Sequence, residues 1–317
     1  MKKDIIKQIQ NHKYIAIATH INPDGDAIGS CTALALALYK NGKKPIILIN
    51  ERPKKYAFLS GEEFIFEEYP RDIPLELFIA LDCGDKERLG DYISYFDNAP
   101  ISINIDHHIS NPKYGHYYYV DSQASSTSEM IYGLIKDCGI PFDGTIAQSI
   151  YAGIAYDTGN FRHSSTTSST HRVISDLLQY DFDFTKILDK LFHLRSLASA
   201  KLLGYALNKM EIAYNNEICI CTLTRKEMDA LGAGTDDTEG IISFMKNIEG
   251  VTVAILIYEK KDNDIKVSFR SSGDKDVCSV AQLFKGGGHK KASGCSLSMP
   301  IHKAKEEVFN VVLKELF

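Results

Sequence analysis

Carboxylates and imidazoles stand at the ends of apolar runs in this chain, and that donor mixture is the one that holds divalent cations. His20 follows the run Tyr14 to Thr19, with Asp24 and Asp26 in the loop beyond it. Asp82 follows Leu77 to Leu81, with Asp85 three residues on. Asp106, His107 and His108 follow Ile101 to Ile105, and Asp157 follows Ile150 to Tyr156. A single acid after a strand is ordinarily a turn or cap residue. The joint pattern, His-x-x-x-Asp-x-Asp, a strand-end Asp, Asp-His-His and Asp-Thr-Gly, is a different matter. Carboxylates gathered in one crevice repel one another and are hard to ionise unless cations neutralise them. The absence of thiolate among the candidates favours Mn2+, with Mg2+, Fe2+ or Co2+ as alternatives, over structural zinc. The candidates outnumber one coordination sphere, so two metals about 3.5–4 Å apart with a shared carboxylate would use them fully, a pairing suited to phosphoester hydrolysis.

The elements that must position these residues are short and alternating. Tyr14 to Thr19, Pro45 to Ile49, Leu77 to Leu81 and Ile101 to Ile105 read as buried strands. Ala27 to Lys40, Ser126 to Cys138, Thr145 to Tyr156 and Ser169 to Gln179 read as helices. Strands alternating with helices predict an α/β lobe with a mostly parallel sheet, which binds ligands outside the strands' carboxyl ends. Phe184 to Met210 is predominantly helical. Strand-like runs at Ile218 to Leu223, Val251 to Tyr258 and Ile265 to Phe269, with helices at Asp236 to Met245 and Ile301 to Leu316, predict a smaller α+β lobe. The expected division is a catalytic domain over 1–185, a helical connector over 186–212 and a second domain over 213–317. The Ser/Thr run Ser164 to Thr170 suits a helix cap or an anion contact. Tyr117 to Tyr119 suits an edge strand as well as base stacking.

A second set of candidates lies near the end. Gly286-Gly287-Gly288-His289-Lys290-Lys291 places glycines, whose backbone can approach an anion, beside basic donors. Arg270-Ser271 ends a strand and offers a guanidinium suited to bidentate phosphate contact. Arg162 and His163, just after the Asp157 motif, could reach a phosphate or belong to a solvated loop.

The net charge of −5 argues against a broad, unspecific grip on nucleic acid, which needs an excess of Lys and Arg. Seven scattered cysteines without a CxxC pair indicate reduced thiols rather than a disulfide framework or zinc knuckle. No signal core or membrane-length apolar stretch is visible, so a cytoplasmic location is expected.

His20-Ile21-Asn22-Pro23-Asp24-Gly25-Asp26, Asp82-Cys83-Gly84-Asp85, Asp106-His107-His108 and Asp157-Thr158-Gly159 resemble, in order, the four motifs of the DHH phosphoesterase superfamily. That resemblance implies a two-Mn2+ site: His20, Asp24 and Asp82 on one metal, and Asp26, Asp82, His107 and Asp157 on the other. It further implies that His108 contacts the scissile phosphate or assists the leaving group, and that Asp106 orients the imidazoles. The Arg-Ser pair and the GGGH-x-x-A-S-G segment are similar to the substrate-binding domain that accompanies many of these enzymes. Arg270, Ser271, Gly287, Gly288, His289 and Lys290 would then hold a nucleotide substrate across a cleft between lobes.

The order of the two domains is most similar to the NrnA-like nanoRNase and pAp-phosphatase group. It implies hydrolysis of very short RNA or linear dinucleotides to mononucleotides, and removal of the 3′-phosphate of pAp. Alternatives are a related hydrolase of cyclic dinucleotides, polyphosphate or pyrophosphate, or a non-enzymatic nucleotide or RNA binder. No membrane partner is expected, and a homodimer is compatible with the sequence.

Overall fold

The computed structural model describes every residue except Glu51. The chain divides into two units, Met1–Leu194 and Arg195–Phe317. The first is an α/β unit on a 6-stranded sheet. Its strands are β1 (Tyr14–Ala18), β2 (Lys44–Leu48), β3 (Ile65–Phe66), β4 (Leu77–Leu81), β5 (Ser102–Asp106) and β6 (Tyr117–Val120). Their order is β3-β2-β1-β4-β5-β6, and every pairing is parallel. Its helices are α1 (Lys2–Asn11), α2 (Gly25–Lys40), α3 (Ile93–Asn98), α4 (Thr127–Asp137), α5 (Gly144–Asp157), α6 (Ser168–Leu177) and α7 (Phe184–Leu188).

The two-residue period of the strands sorts the side chains. Ile15, Ile17, Leu77, Ile79, Leu81, Ile103 and Ile105 enter a core with Ile28 and Leu34 of α2, Ile131 of α4 and Ile150 of α5. Ala16, Ala18, Phe78 and Ala80 face the other way, against Leu89, Tyr92 and Phe96. With both faces covered, the central strands read as unbroken apolar runs.

Helices α2 and α5 pack unusually close. A Cβ added to Gly25 would lie 2.4 Å from the Tyr156 ring, and one on Gly29 would lie 2.6 Å from the Ser149 carbonyl oxygen. The Ser/Thr run caps α6, where Thr167 and Thr170 form a reciprocal capping box. Tyr117–Val120 is the edge strand beneath α1, with Gln8 donating to the Tyr117 hydroxyl at 3.2 Å.

The helical stretch around residue 190 is divided. After α7 comes a π-helical turn, Asp189–His193. Helix α8 (Leu197–Lys209) then buries Leu202 and Ala206 in a core of the second unit.

The second unit adds β7 (Glu211–Ala213), β8 (Ile218–Leu223), α9 (Arg225–Ala230), α10 (Ile241–Lys246), β9 (Val253–Lys261) and β10 (Asp264–Ser271). It closes with α11 (Val277–Leu283), β11 (Gly287–His289), β12 (Ala292–Ser298) and α12 (Ile301–Leu316). Its sheet runs β11-β12-β10-β9-β8-β7, antiparallel except for β8 with β9. Ile218 and Ile220 share one core with Val280 of α11 and Val308 of α12. Cys219, Cys221 and Leu223 share the opposite one with α8 and α10.

The helix expected over 236–245 is interrupted. A 3-10 turn, Asp236–Thr238, precedes α10, and Gly240 between them adopts φ 84°. A Cβ there would sit 2.4 Å from the Arg195 guanidinium, so the break makes room for that side chain. Among the described residues, no helix is long and apolar enough to cross a membrane.

Candidate functional site

Strand order reverses between β1 and β4, and open parallel sheets leave their ligand crevice at such a reversal. The carboxyl ends of β1, β4 and β5 supply most of the cluster. His20 is buried, and its Nδ1 donates to the Ile21 carbonyl oxygen at 2.8 Å, which leaves Nε2 with a lone pair. That Nε2 lies 4.0 Å from Asp24 Oδ2 and 3.8 Å from Asp82 Oδ2. Asp24 caps α2, its Oδ1 accepting the N–H groups of Asp26 and Ala27, so Oδ2 remains for the cluster.

Asp82 has its two oxygens turned to different imidazoles. Oδ2 faces His20, whereas Oδ1 is 3.6 Å from His107 Nε2 and accepts the Thr127 hydroxyl at 3.1 Å. Its backbone adopts φ 52°, a left-handed conformation found on few non-glycine residues and concentrated at functional sites. Asp157, the last residue of α5, reaches His107 Nε2 at 3.0 Å. Asp26 takes backbone N–H groups from the start of α4, Thr127 at 2.6 Å and Ser128 at 2.9 Å. Gly153 lets this happen: a Cβ there would lie 1.9 Å from Ser128 Oγ and 2.8 Å from Asp26 Oδ1. Three donor groups result, His20/Asp24/Asp82, Asp26/His107/Asp157 and Asp82/His107/His108, each with its donor atoms within 4.8 Å of one another.

Burial and mutual repulsion among the carboxylates dominate the electrostatics of this cluster. Burial, then the charges of Asp26, Asp24 and Asp157, push the Asp82 carboxyl well above the usual carboxylate range. Burial and the Asp157 charge push Asp26 up to about 7. Burial works to lower His107, but its hydrogen bond to Asp157 and the fields of Asp26, Asp157 and Asp82 outweigh it, raising His107 to about 10. Burial lowers His20. Among the described residues, no lysine or arginine forms an ion pair with Asp24, Asp26, Asp82 or Asp157. Four carboxylates and two imidazoles, with a free His20 Nε2 and free carboxylate oxygens converging, fit divalent cations.

Asp106 stands behind the cluster. Its Oδ1 accepts His108 Nδ1 at 2.7 Å and its Oδ2 accepts Asn111 Nδ2 at 2.6 Å. Burial would raise this carboxyl, but the His108 and Asn111 hydrogen bonds overcome it and hold Asp106 below its ordinary value. The Asp106 contact fixes His108 with its proton on Nδ1 and leaves Nε2 outward. Asn111 also donates to Asn104 Oδ1 at 2.8 Å, and Tyr114 donates to the Cys83 carbonyl oxygen at 2.7 Å.

These supporting residues were not singled out in the sequence. Asn104, a polar interruption in an apolar strand, was the available signal. The Ser125–Ser128 run at a helix start was another.

In the second unit, Arg270, Ser271, Gly287, Gly288, His289 and Lys290 gather at one end of the sheet. Arg270 and His289 both pair with Ala292 from opposite sides of β12. The Ser271 N–H donates to the Lys291 carbonyl oxygen at 3.0 Å. The glycine-rich stretch is a hairpin strand rather than an open loop. A Cβ on Gly286 would lie 2.2 Å from the Gly294 carbonyl oxygen, and one on Gly288, at φ 139°, would lie 2.5 Å from that of Ala292. Arg270 Nη1 donates to the Phe269 carbonyl oxygen at 2.9 Å, and among the described residues no carboxylate pairs with its guanidinium. Gly287, Gly288 and His289 are exposed.

The description of the DHH family N-terminal domain matches residues 14–154, and that of the DHHA1 domain matches residues 216–316. The protein named bifunctional oligoribonuclease and PAP phosphatase NrnA from Thermus thermophilus is 31% identical over 317 residues, covering 99% of this chain and 93% of its own. The protein of the same name from Bacillus subtilis is 31% identical over 302 residues, covering 94% of this chain and 93% of its own. An exopolyphosphatase-related protein from Bacteroides fragilis superimposes with a TM-score of 0.90 at 26% identity, covering 99% of this chain and 95% of that one.

Proposed function

This chain belongs to the DHH family and carries the DHHA1 domain, and from that premise we propose that it hydrolyses very short RNA and linear dinucleotides to mononucleotides and removes the 3′-phosphate of pAp. The observation that carries the reading is Asp82, whose two oxygens face two separate donor groups. His20, Asp24 and Asp82 would hold one divalent cation, Mn2+ by donor chemistry. Asp26, His107 and Asp157 would hold a second, with Asp82 shared between them. Such cations, when bound, acidify water and neutralise charge on a phosphate.

The chain's own groups do the rest. Asp24 and Asp26 are held rigidly because backbone N–H groups take one or both of their oxygens. His108, oriented by Asp106, presents Nε2 to the phosphate or the departing oxygen, where it hands over or takes a proton. Arg270 and the exposed backbone of the glycine hairpin would bind the nucleotide's phosphate, as a guanidinium with no carboxylate partner among the described residues and close-approaching N–H groups suit. The names of the Thermus and Bacillus relatives support the substrate class. A net charge of −5 favours short substrates, since a long backbone calls for an extended basic track.

The test is hydrolysis in Mn2+ of pApA, pGpG, pAp and an RNA of about 24 nucleotides. Fast turnover of the short substrates and slow turnover of the long one is expected. Equal rates on long and short RNA would overturn the length claim.

A further inference from the structure

The loop after β4 contains a cation that the metal-centred account leaves without work. Arg88 lies six residues after Asp82 in the 3-10 segment Lys86–Tyr92, which Asp85 caps by accepting the Glu87 N–H at 3.3 Å. Leu89, its neighbour, is fully buried against the sheet and anchors the segment. Two contacts then fasten it beside His20. The Ile21 N–H donates to the Arg88 carbonyl oxygen at 2.8 Å. Gly90, at φ 59°, lies under the Ile21 side chain, where a Cβ would come within 2.7 Å of Cγ2. Arg88 therefore sits at the junction of the β1 and β4 ends, the two strands that deliver His20 and Asp82.

Arg88 is exposed, and among the described residues its side chain forms no hydrogen bond or ion pair with a carboxylate, although its charge helps to lower Asp85, the cap of its own segment. Arg52 and Arg225, by contrast, are paired with Glu62 and Asp229. The charge of Arg88 still reaches inward. After burial, it helps to lower the basicity of His20, and it is felt at Cys83 as well. A guanidinium whose field reaches His20, an imidazole of the cation-gathering cluster, repels a cation held there. It is tolerable there when an anion lies between them.

We propose that Arg88 is a substrate-contacting residue of the catalytic unit, its guanidinium binding non-bridging oxygens of the phosphate that the metal centre attacks. This rests on the phosphoesterase reading above. The planar fork of N–H donors matches two phosphate oxygens at once, and its charge offsets the negative charge that grows on the phosphoryl group. Nothing in the geometry makes it a metal ligand, and removing it leaves every donor of the cluster in place.

The experiment compares the parent chain with Arg88→Ala and Arg88→Lys, measuring kcat and KM on pApA, bound Mn2+ and thermal melting. For Arg88→Ala, kcat/KM is expected to fall about a hundredfold or more, with Mn2+ content unchanged. Added guanidinium ion is expected to restore part of the loss in Arg88→Ala and to leave the parent unaffected. Arg88→Lys, which keeps the charge but loses the fork, should fall between the two. Arg88→Ala activity near the parent's would overturn the proposal. So would a loss that tracks Mn2+ content or melting and resists guanidinium.

Should the parent hydrolyse no dinucleotide, the reading of the previous subsection fails. Calorimetric binding of inorganic phosphate to the Mn2+-loaded parent and Arg88→Lys then decides the Arg88 assignment alone. Weaker binding in the variant supports the assignment, and equal binding overturns it.

Discussion

The two ends proposed to handle phosphate are built in opposite ways. In the first unit Asp26 and Asp82 are buried, and every one of the six candidate ligands is fixed by a strand end, a helix start or a helix end. In the second, Gly287, Gly288 and His289 are exposed on an edge strand of three residues. The contrast follows from what each must do. Cations need several hard donors held at fixed separations, which only packed elements provide. A nucleotide phosphate needs N–H groups and a guanidinium that water does not block, which an edge hairpin supplies.

The sharpest way to break this comparison is at its most constrained residue. Asp82→Ala should reduce turnover of pApA by about a thousandfold or more, with Mn2+ content falling in parallel. Turnover preserved in that variant would remove Asp82 from the centre of the cluster.

Chelation should produce a similar loss, reversible by Mn2+, and a pH dependence of stability that the second unit does not share. Asp26 and His107 both have raised pKa values in the folded state, to about 7 and about 10. Their contributions are fully present below their unfolded values and are lost as pH rises through the folded ones. The metal-free protein should thus lose melting temperature progressively between about pH 4 and pH 10, and Mn2+ should restore more at pH 8 than at pH 5. A flat profile would contradict the buried-cluster electrostatics.

Gly153→Ala tests whether the tight packing matters. With its new Cβ pressed on Ser128 and Asp26, it should destabilise the protein by about 1–3 kcal/mol and weaken Mn2+ binding, as denaturant melts and metal titration would report. The smallest effect belongs to the exposed end. Arg270→Ala should raise KM about tenfold with kcat nearly unchanged and melting unaltered. A kcat loss as large as that of Asp82→Ala would erase the distinction between the two ends.

Much of the first unit was legible because its chemistry coincides with its punctuation. An apolar run must stop where a strand stops, and a polar residue there is conspicuous, as with His20, Asp82 and Asp106. The parallel sheet followed from the alternation of strands and helices. The grip of Thr127 and Ser128 on Asp26 was not legible, since it acts through backbone N–H groups that any residue carries; only the Thr127 hydroxyl, which donates to Asp82, depends on the residue type. Arg88 escaped notice because its carbonyl contact with Ile21 joins segments far apart in sequence. The glycine stretch stood out for its glycines and basic neighbours but was not legible as a strand. Its glycines are demanded by Gly294 and Ala292 across the hairpin, and their sequence spacing alone looks like a loop.

The start of α4 beneath Asp26 has a further consequence. Two of its N–H groups grip the carboxylate, and a helix N-terminus carries roughly half a positive charge. The fold thus supplies a weak, permanent counter-ion of its own at the deepest ligand. Should cations bind there and leave, those N–H groups would keep Asp26 in place, and reloading would be a matter of diffusion and local supply rather than refolding. Occupancy, and with it the activity of the molecule, would then follow the free divalent ion level of its surroundings from moment to moment.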